Sequence, residues 1–127
     1  QLVGQKMSGR GWGTIAGISS VAGDRGRAKA GFYGAAKAGF TAYLGALRQH
    51  FVKHGVHVVT VRPGYVSTQM TAHLDLPEFL TNSADDIGEM IYKGIMRKQD
   101  IVCPWKWRII MAVISLIPET LFKRLSI

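Results

Sequence analysis

Tyr33 and Lys37 stand four residues apart in the run F-Y-G-A-A-K-A-G-F, and Ser20 lies thirteen residues before the tyrosine, at the end of a short apolar run. On a helix, positions i and i+4 share a face, so an ammonium group would stand beside a phenol. A phenol is a poor base at neutral pH unless a nearby positive charge favours its ionised form, and Lys37 is spaced to supply that charge. The three residue types have the layout of a proton-transfer site, with a hydroxyl to hold a reacting oxygen and a phenol to give or take its proton. Taken by themselves, the tyrosine and lysine also fit an amphipathic helix whose polar tips lie in water. Ser19 reads as a structural serine at a strand end.

The elements that must position these groups follow from the surrounding pattern. Gln1–Met7 reads as the last turns of a helix ended by the glycine-rich S-G-R-G-W-G. Thr14–Val21 is a short run rich in β-branched residues, predicted to be a buried strand at a sheet edge. A loop over Ala22–Gly31 leads to a long helix from Phe32 to about His54, rich in alanine and leucine and closed by Gly55. Val56–Val61, V-H-V-V-T-V, is a second buried strand, stopped by Pro63-Gly64. Ser67–Leu80 reads as an irregular loop with a short helix. Ser83 is placed to cap a further helix, with Asp85 and Asp86 in its first turn, running to about Lys98. Asp100–Pro104 is a third strand. Strands alternating with helices indicate βαβ units and a parallel sheet covered on both faces.

The chain has 127 residues, 47% hydrophobic and 19% charged, enough apolar material for one core. Sixteen Lys and Arg against eight Asp and Glu give a formal charge of +8, but the basic residues are scattered and carry no zinc-finger spacing or RNA-binding aromatic signature, so no nucleic acid partner is expected. Cys103 is the sole cysteine and reads as a buried structural thiol, with a reducing, cytoplasmic compartment as the expected location. His50, His54, His57 and His73 have no ligand spacing, and no metal is assigned.

The strings I-S-S-V-A-G, Y-G-A-A-K-A-G-F and V-V-T-V-R-P-G-Y-V-S-T, in that order and spacing, closely resemble the second half of the short-chain dehydrogenase/reductase family, over roughly Thr14–Asp100. The resemblance implies a doubly wound parallel, Rossmann-like sheet, here its C-terminal half with about three parallel strands, flanking helices and a C-terminal apolar helix. It implies NAD or NADP as cofactor and Ser20, Tyr33 and Lys37 as catalytic residues. Pro63, Gly64, Val66 and Thr68 would line the nicotinamide, with Tyr33 and Lys37 also contacting the cofactor; Thr68 reads equally as a turn cap. The family's G-x-x-x-G-x-G turn after a first strand, its N-A-G motif and its catalytic asparagine have no counterpart among these residues. The chain is therefore expected to divide into a partial Rossmann-like catalytic domain, residues 1–104, lacking the dinucleotide-binding half, and a C-terminal extension, residues 105–127.

Residues 69–80, with Leu74, Leu76, Phe79 and Leu80, fall in the family's substrate-lid region, and their apolar character suits a bulky or lipid-linked carbonyl or alcohol substrate, or simple packing. The C-terminal stretch is similar to a membrane-associated branch of the family that reduces decaprenylphosphoryl keto-pentoses. Its run I-I-M-A-V-I-S-L-I is too short to span a bilayer of about 30 Å, and Pro118 interrupts it. Tryptophans and basic residues around that run fit peripheral contact with an anionic membrane, at its cytoplasmic face. Packing on the chain's own domain or on a second subunit hides the same apolar face. Two functions follow. One is an NAD(P)-dependent oxidoreductase interconverting a carbonyl and a secondary alcohol, associating into a homo-oligomer through the 32–54 helix. The other is an inactive truncated relative serving as an association or membrane-surface module.

Overall fold

A computed structural model describes residues 2–125; Gln1, in the expected N-terminal helix, and Ser126 and Ile127, in the C-terminal segment, lie outside the described residues. The order is α1 (Leu2–Arg10), β1 (Gly13–Ile18), α2 (Gly31–Phe51), β2 (Val56–Val61), β3 (Tyr65–Ser67), β4 (Thr81–Ser83), α3 (Ala84–Met96), β5 (Ile101–Val102), α4 (Trp105–Leu116) and α5 (Glu119–Phe122). Strands β1, β2 and β5 form one parallel sheet in that order, with Gly13–Ile18 in register against Val56–Val61 and Thr60–Val61 against Ile101–Val102. This is the parallel α/β arrangement that the alternating pattern implied.

The β-branched run of β2 becomes the centre of the sheet because strands lie on both of its sides, and five of its six residues are buried. Side chains alternate along it. Val56, Val58 and Thr60 point to the face covered by α2, where Leu44 sits against Gly17 of β1. Val59 and Val61 point to the other face and pack with Val102 under Met90, Ile91 and Ile95 of α3. Fully burying a Val, Leu or Phe side chain contributes about 1.5–3 kcal/mol, so Leu44, Phe51, Val58, Val59 and Val61 account for most of what holds helices to sheet. Gly55, at φ 70°, ends the turn after α2 as the sequence suggested. Ser83 caps α3 by accepting a hydrogen bond from the Asp86 amide.

The structure departs from expectation at two places. Strand β1 lies at an edge of the sheet, as expected, but it is not buried on both faces: Thr14, Ala16 and Ile18 are exposed, because α3 covers only the β2–β5 part of their face. It also ends at Ile18, before the two serines. Within the region read as an irregular loop, two 3₁₀ turns occur, Gln69–Thr71 and Glu78–Leu80, and the segment is closed by parallel pairing of β3 with β4. Arg48 of α2 is a structural tie. Because β5 reaches only Thr60 and Val61, the Val58 carbonyl lacks a strand partner on that side, and Arg48 Nε donates to it at 2.9 Å. Its Nη2 donates to Thr60 Oγ1 and to the Asp100 carbonyl, and the Asp100 carboxylate also stands 3.5 Å from His57 Nε2.

The C-terminal segment packs on this body. Trp107 and Met111 of α4 are buried against Val21, with Tyr65, Leu80, Ile110 and Ile114 around them. Among the described residues, no helix is long and apolar enough to cross a membrane.

Candidate active site

The carboxyl end of β1 runs directly into the site. Ser19 and Ser20 follow Ile18 and are both buried, and they divide two tasks between them. Ser19 Oγ lies 3.0 Å from the Lys37 carbonyl, to which it donates, and 2.6 Å from Thr41 Oγ1. With both neighbours on α2, its hydroxyl is consumed in holding that helix to the strand end. Ser20 instead caps a 3₁₀ turn over Val21–Gly23, its Oγ accepting from the Ala22 amide at 3.1 Å and donating to the Pro63 carbonyl across 3.4 Å. The second of these is long for an O–H···O bond. The Ser20 proton is therefore weakly committed and free to turn to another acceptor.

The Pro63 carbonyl also accepts from the Val21 amide at 3.1 Å, so the Pro63–Gly64 turn after β2 and the turn after β1 are stitched into one floor. Two glycines make that closeness feasible. A Cβ on Gly23 would stand 2.6 Å from Ala38 N and 2.7 Å from the Lys37 carbonyl carbon, so only glycine lets this turn rest on the helix that carries Tyr33 and Lys37. A Cβ on Gly64 would collide with the Trp107 indole, which lies on the Pro-Gly turn and donates from Nε1 to the Leu80 carbonyl at 3.0 Å. Gly23→Ala is accordingly expected to destabilise the fold by about 1–3 kcal/mol, because the obstacle is backbone rather than a flexible side-chain tip. Urea unfolding measures it; a midpoint equal to wild type would show that the turn does not rest on α2.

Tyr33 and Lys37 lie in the first two turns of α2, as their spacing required. Lys37 Nζ is 5.6 Å from the Tyr33 ring centroid and donates to the Ile18 carbonyl at 2.9 Å, which orients the amine toward the strand end. Ser20, Tyr33, Lys37, Pro63, Gly64, Val66 and Thr68 all line one cavity of about 840 Å³. It opens beyond the carboxyl ends of β1 and β2, the place where open parallel sheets bind ligands. Thr68, like Ser20, also has a structural task. It caps the Gln69–Thr71 turn, its amide bonded to Thr71 Oγ1 at 3.0 Å, while it also borders the cavity.

Several cavity residues carried no sequence signal. Trp107 and Tyr65, whose rings meet edge to face at 5.0 Å, form part of the wall, as do Ile87, Arg27 and Lys29. A tryptophan in a C-terminal apolar run is read as part of a tail until the fold brings the tail back. Cys103 is partly buried beneath this wall, and burial pushes its thiol up from the ordinary range, in keeping with a structural thiol. Among the described residues, no group of three or more His, Cys, Asp or Glu is placed to hold a metal ion.

Comparison with known proteins gives a consistent result. The family model described as short chain dehydrogenase matches residues 1–78. An uncharacterized oxidoreductase of Streptomyces coelicolor is 33% identical over 127 residues, covering 99% of this chain and 50% of that protein. An acetoacetyl-CoA reductase of Allochromatium vinosum is 42% identical over 89 residues, covering 70% of this chain and 32% of that protein. A short chain dehydrogenase from Burkholderia cenocepacia, solved in complex with NADP, superposes with a TM-score of 0.80 at 17% identity, over 94% of this chain and 49% of that one. At that identity the superposition speaks for the fold. The chain thus spans half or less of the length of these relatives.

Proposed function

The chain belongs to the short-chain dehydrogenase family, and from that premise we propose that it supplies the proton-transfer centre of an NAD(P)-dependent oxidoreductase interconverting a carbonyl and a secondary alcohol. The observation that carries this reading is the convergence, on one cavity, of a hydroxyl from the β1 end, a phenol and an amine from α2, and the Pro-Gly turn after β2. The NADP of the Burkholderia structure and the reductase name of the Allochromatium relative support it.

The cavity can accept a nicotinamide and a small substrate together, since drug-sized sites run to about 300–1,000 Å³. Pro63, Gly64, Val66 and Thr68 would line the nicotinamide, with Lys37 and Tyr33 against its ribose side. That cofactor, when bound, would supply or accept the hydride. In the reducing direction, Ser20 Oγ turns from the Pro63 carbonyl and donates to the substrate oxygen, fixing the carbonyl for attack at carbon. Tyr33 gives its hydroxyl proton to the same oxygen as negative charge develops there, and recovers a proton from solvent. In oxidation the proton travels the other way. Lys37, held by the Ile18 carbonyl, keeps its amine 5.6 Å from the Tyr33 ring centroid, beside the group that moves the proton.

A second reading rests on surface apolar area. Trp105, Ile109, Val113 and Leu116 recur at helical spacing on the outward side of α4, with 57–82% of their surface exposed, near Arg108, Lys123 and Arg124. Such a stripe suits an anionic membrane surface. Phe32, Phe40 and Tyr43 leave α2 similarly open, which suits association with a second copy. One pair of measurements separates the readings. Calorimetric titration with NADH and NADPH is expected to give binding heat, and adding bulky ketones to the protein is expected to consume the reduced nucleotide. No heat and no consumption, with sedimentation on anionic liposomes at low salt, would favour the module without catalysis.

A further inference from the structure

Three arginines gather around the turn that follows β1, and they differ in what holds them. Arg25 donates from Nη1 to the Ile114 and Ile117 carbonyls and pairs with Glu119. Arg62 pairs with Asp24. Arg27 has no hydrogen bond and no ion pair among the described residues: its Nε is sealed from solvent, as is that of Arg62, but its Nη groups stay accessible and unpaired. Accessible guanidinium donors that line a cavity and meet no acid of their own chain are open to an acceptor supplied from outside it.

The place of Arg27 says which. It lines the cavity with Lys29, which likewise has no acidic partner among the described residues. The third cation there, Lys37, is already bonded to the Ile18 carbonyl. One acid, Asp75, borders the cavity; it is exposed and forms no ion pair with any of the three. The same cavity has an apolar lining from Leu74, Leu76, Ile87 and Trp107.

We infer that the substrate of this site carries an anionic group, a phosphate or a carboxylate, held by Arg27 with Lys29 beside it, and an apolar body laid against Leu74, Leu76, Ile87 and Trp107. A guanidinium presents a planar fork of donors that matches either oxyanion in bidentate fashion, and partial burial strengthens the pairing. The inference rests on the dehydrogenase reading for the substrate's carbonyl; the anion site stands on the cavity alone.

The test uses the full chain without nucleotide and titrates three ring compounds by calorimetry or NMR: phenyl phosphate, phenylacetate and benzyl alcohol. Wild type is expected to bind one or both anions at least about tenfold more tightly than the alcohol, with the preference shrinking as salt is added. Whichever anion binds more tightly assigns the group as phosphate or carboxylate. Arg27→Leu should abolish the preference and Arg27→Lys should keep part of it, with Lys29→Ala giving a smaller loss. Should Arg27→Leu fail to fold by circular dichroism, Arg27→Gln carries the same expectation. Equal binding of all three compounds by wild type, or a preference that survives in Arg27→Gln, overturns the inference. Since no nucleotide is present, that failure leaves the hydride-transfer reading standing. Conversely, an anion preference in a protein without hydride transfer would remove the dehydrogenase and keep the anion site.

Discussion

Replacing Tyr33 by phenylalanine is expected to lower turnover in the proposed reaction by about 10²- to 10⁴-fold, the range that one positioned acid–base group contributes, while nucleotide affinity changes little. The substitution removes the oxygen and keeps the ring. Because Tyr33 is 48% exposed and its hydroxyl has no hydrogen bond within the described residues, stability should stay within about 0.5 kcal/mol of wild type. The loss would then belong to the chemistry rather than to the fold. Ser20→Ala is a less clean probe, since Ser20 Oγ also caps the Val21–Gly23 turn, and losing a cap costs about 1 kcal/mol on its own. Steady-state kcat with parallel nucleotide titration decides the matter: a Tyr33→Phe enzyme turning over at the wild-type rate would remove the phenol from the reaction.

How legible this site was depends on how local each signal is. The Tyr33–Lys37 relation needs only the helical repeat, and β2 announces itself by six residues of mostly β-branched character between Gly55 and the Pro63-Gly64 stop. Ser20 could be told from Ser19 by its place in the I-S-S-V-A-G string, and the structure supplies the physical distinction, one hydroxyl spent on α2 and the other left loosely held. The exposure of β1 was not legible. An apolar run states that a strand can be buried, not which neighbour covers each face, and the answer depended on how far α3 reaches. Strands β3 and β4 have three residues each, too few for a period to show. Arg27 and Trp107 are silent for a different reason. Their meaning comes from contacts with segments far along the chain, and no spacing rule records whether an arginine finds an acid.

The same long-range logic makes Arg25 a polar residue whose loss should be costly to stability. Its guanidinium donates at 2.6 Å to both the Ile114 and the Ile117 carbonyl at the end of α4, the first of which also accepts from the Ile117 amide at 3.3 Å, and it lies 3.9 Å over the Phe122 ring. The side chain is 14% exposed, whereas its partner Glu119 is 78% exposed. That contrast decides which interaction matters. An ion pair to a solvated carboxylate is worth about 0–1 kcal/mol, while charge-assisted bonds to two partly buried carbonyls are worth about 1.5–3 kcal/mol each, and their loss leaves the Ile117 carbonyl without its donor. Arg25→Ala is therefore expected to destabilise by about 3–4 kcal/mol, and Glu119→Ala by less than about 1 kcal/mol. Since Arg25 follows the Ser20 turn and α4 carries Trp107 onto Gly64, the alanine variant should also loosen the cavity wall and raise KM more than it lowers kcat. Denaturant unfolding of the two single variants and the double variant measures the coupling. Equal losses for Arg25→Ala and Glu119→Ala would place the energy in the ion pair and refute the carbonyl account.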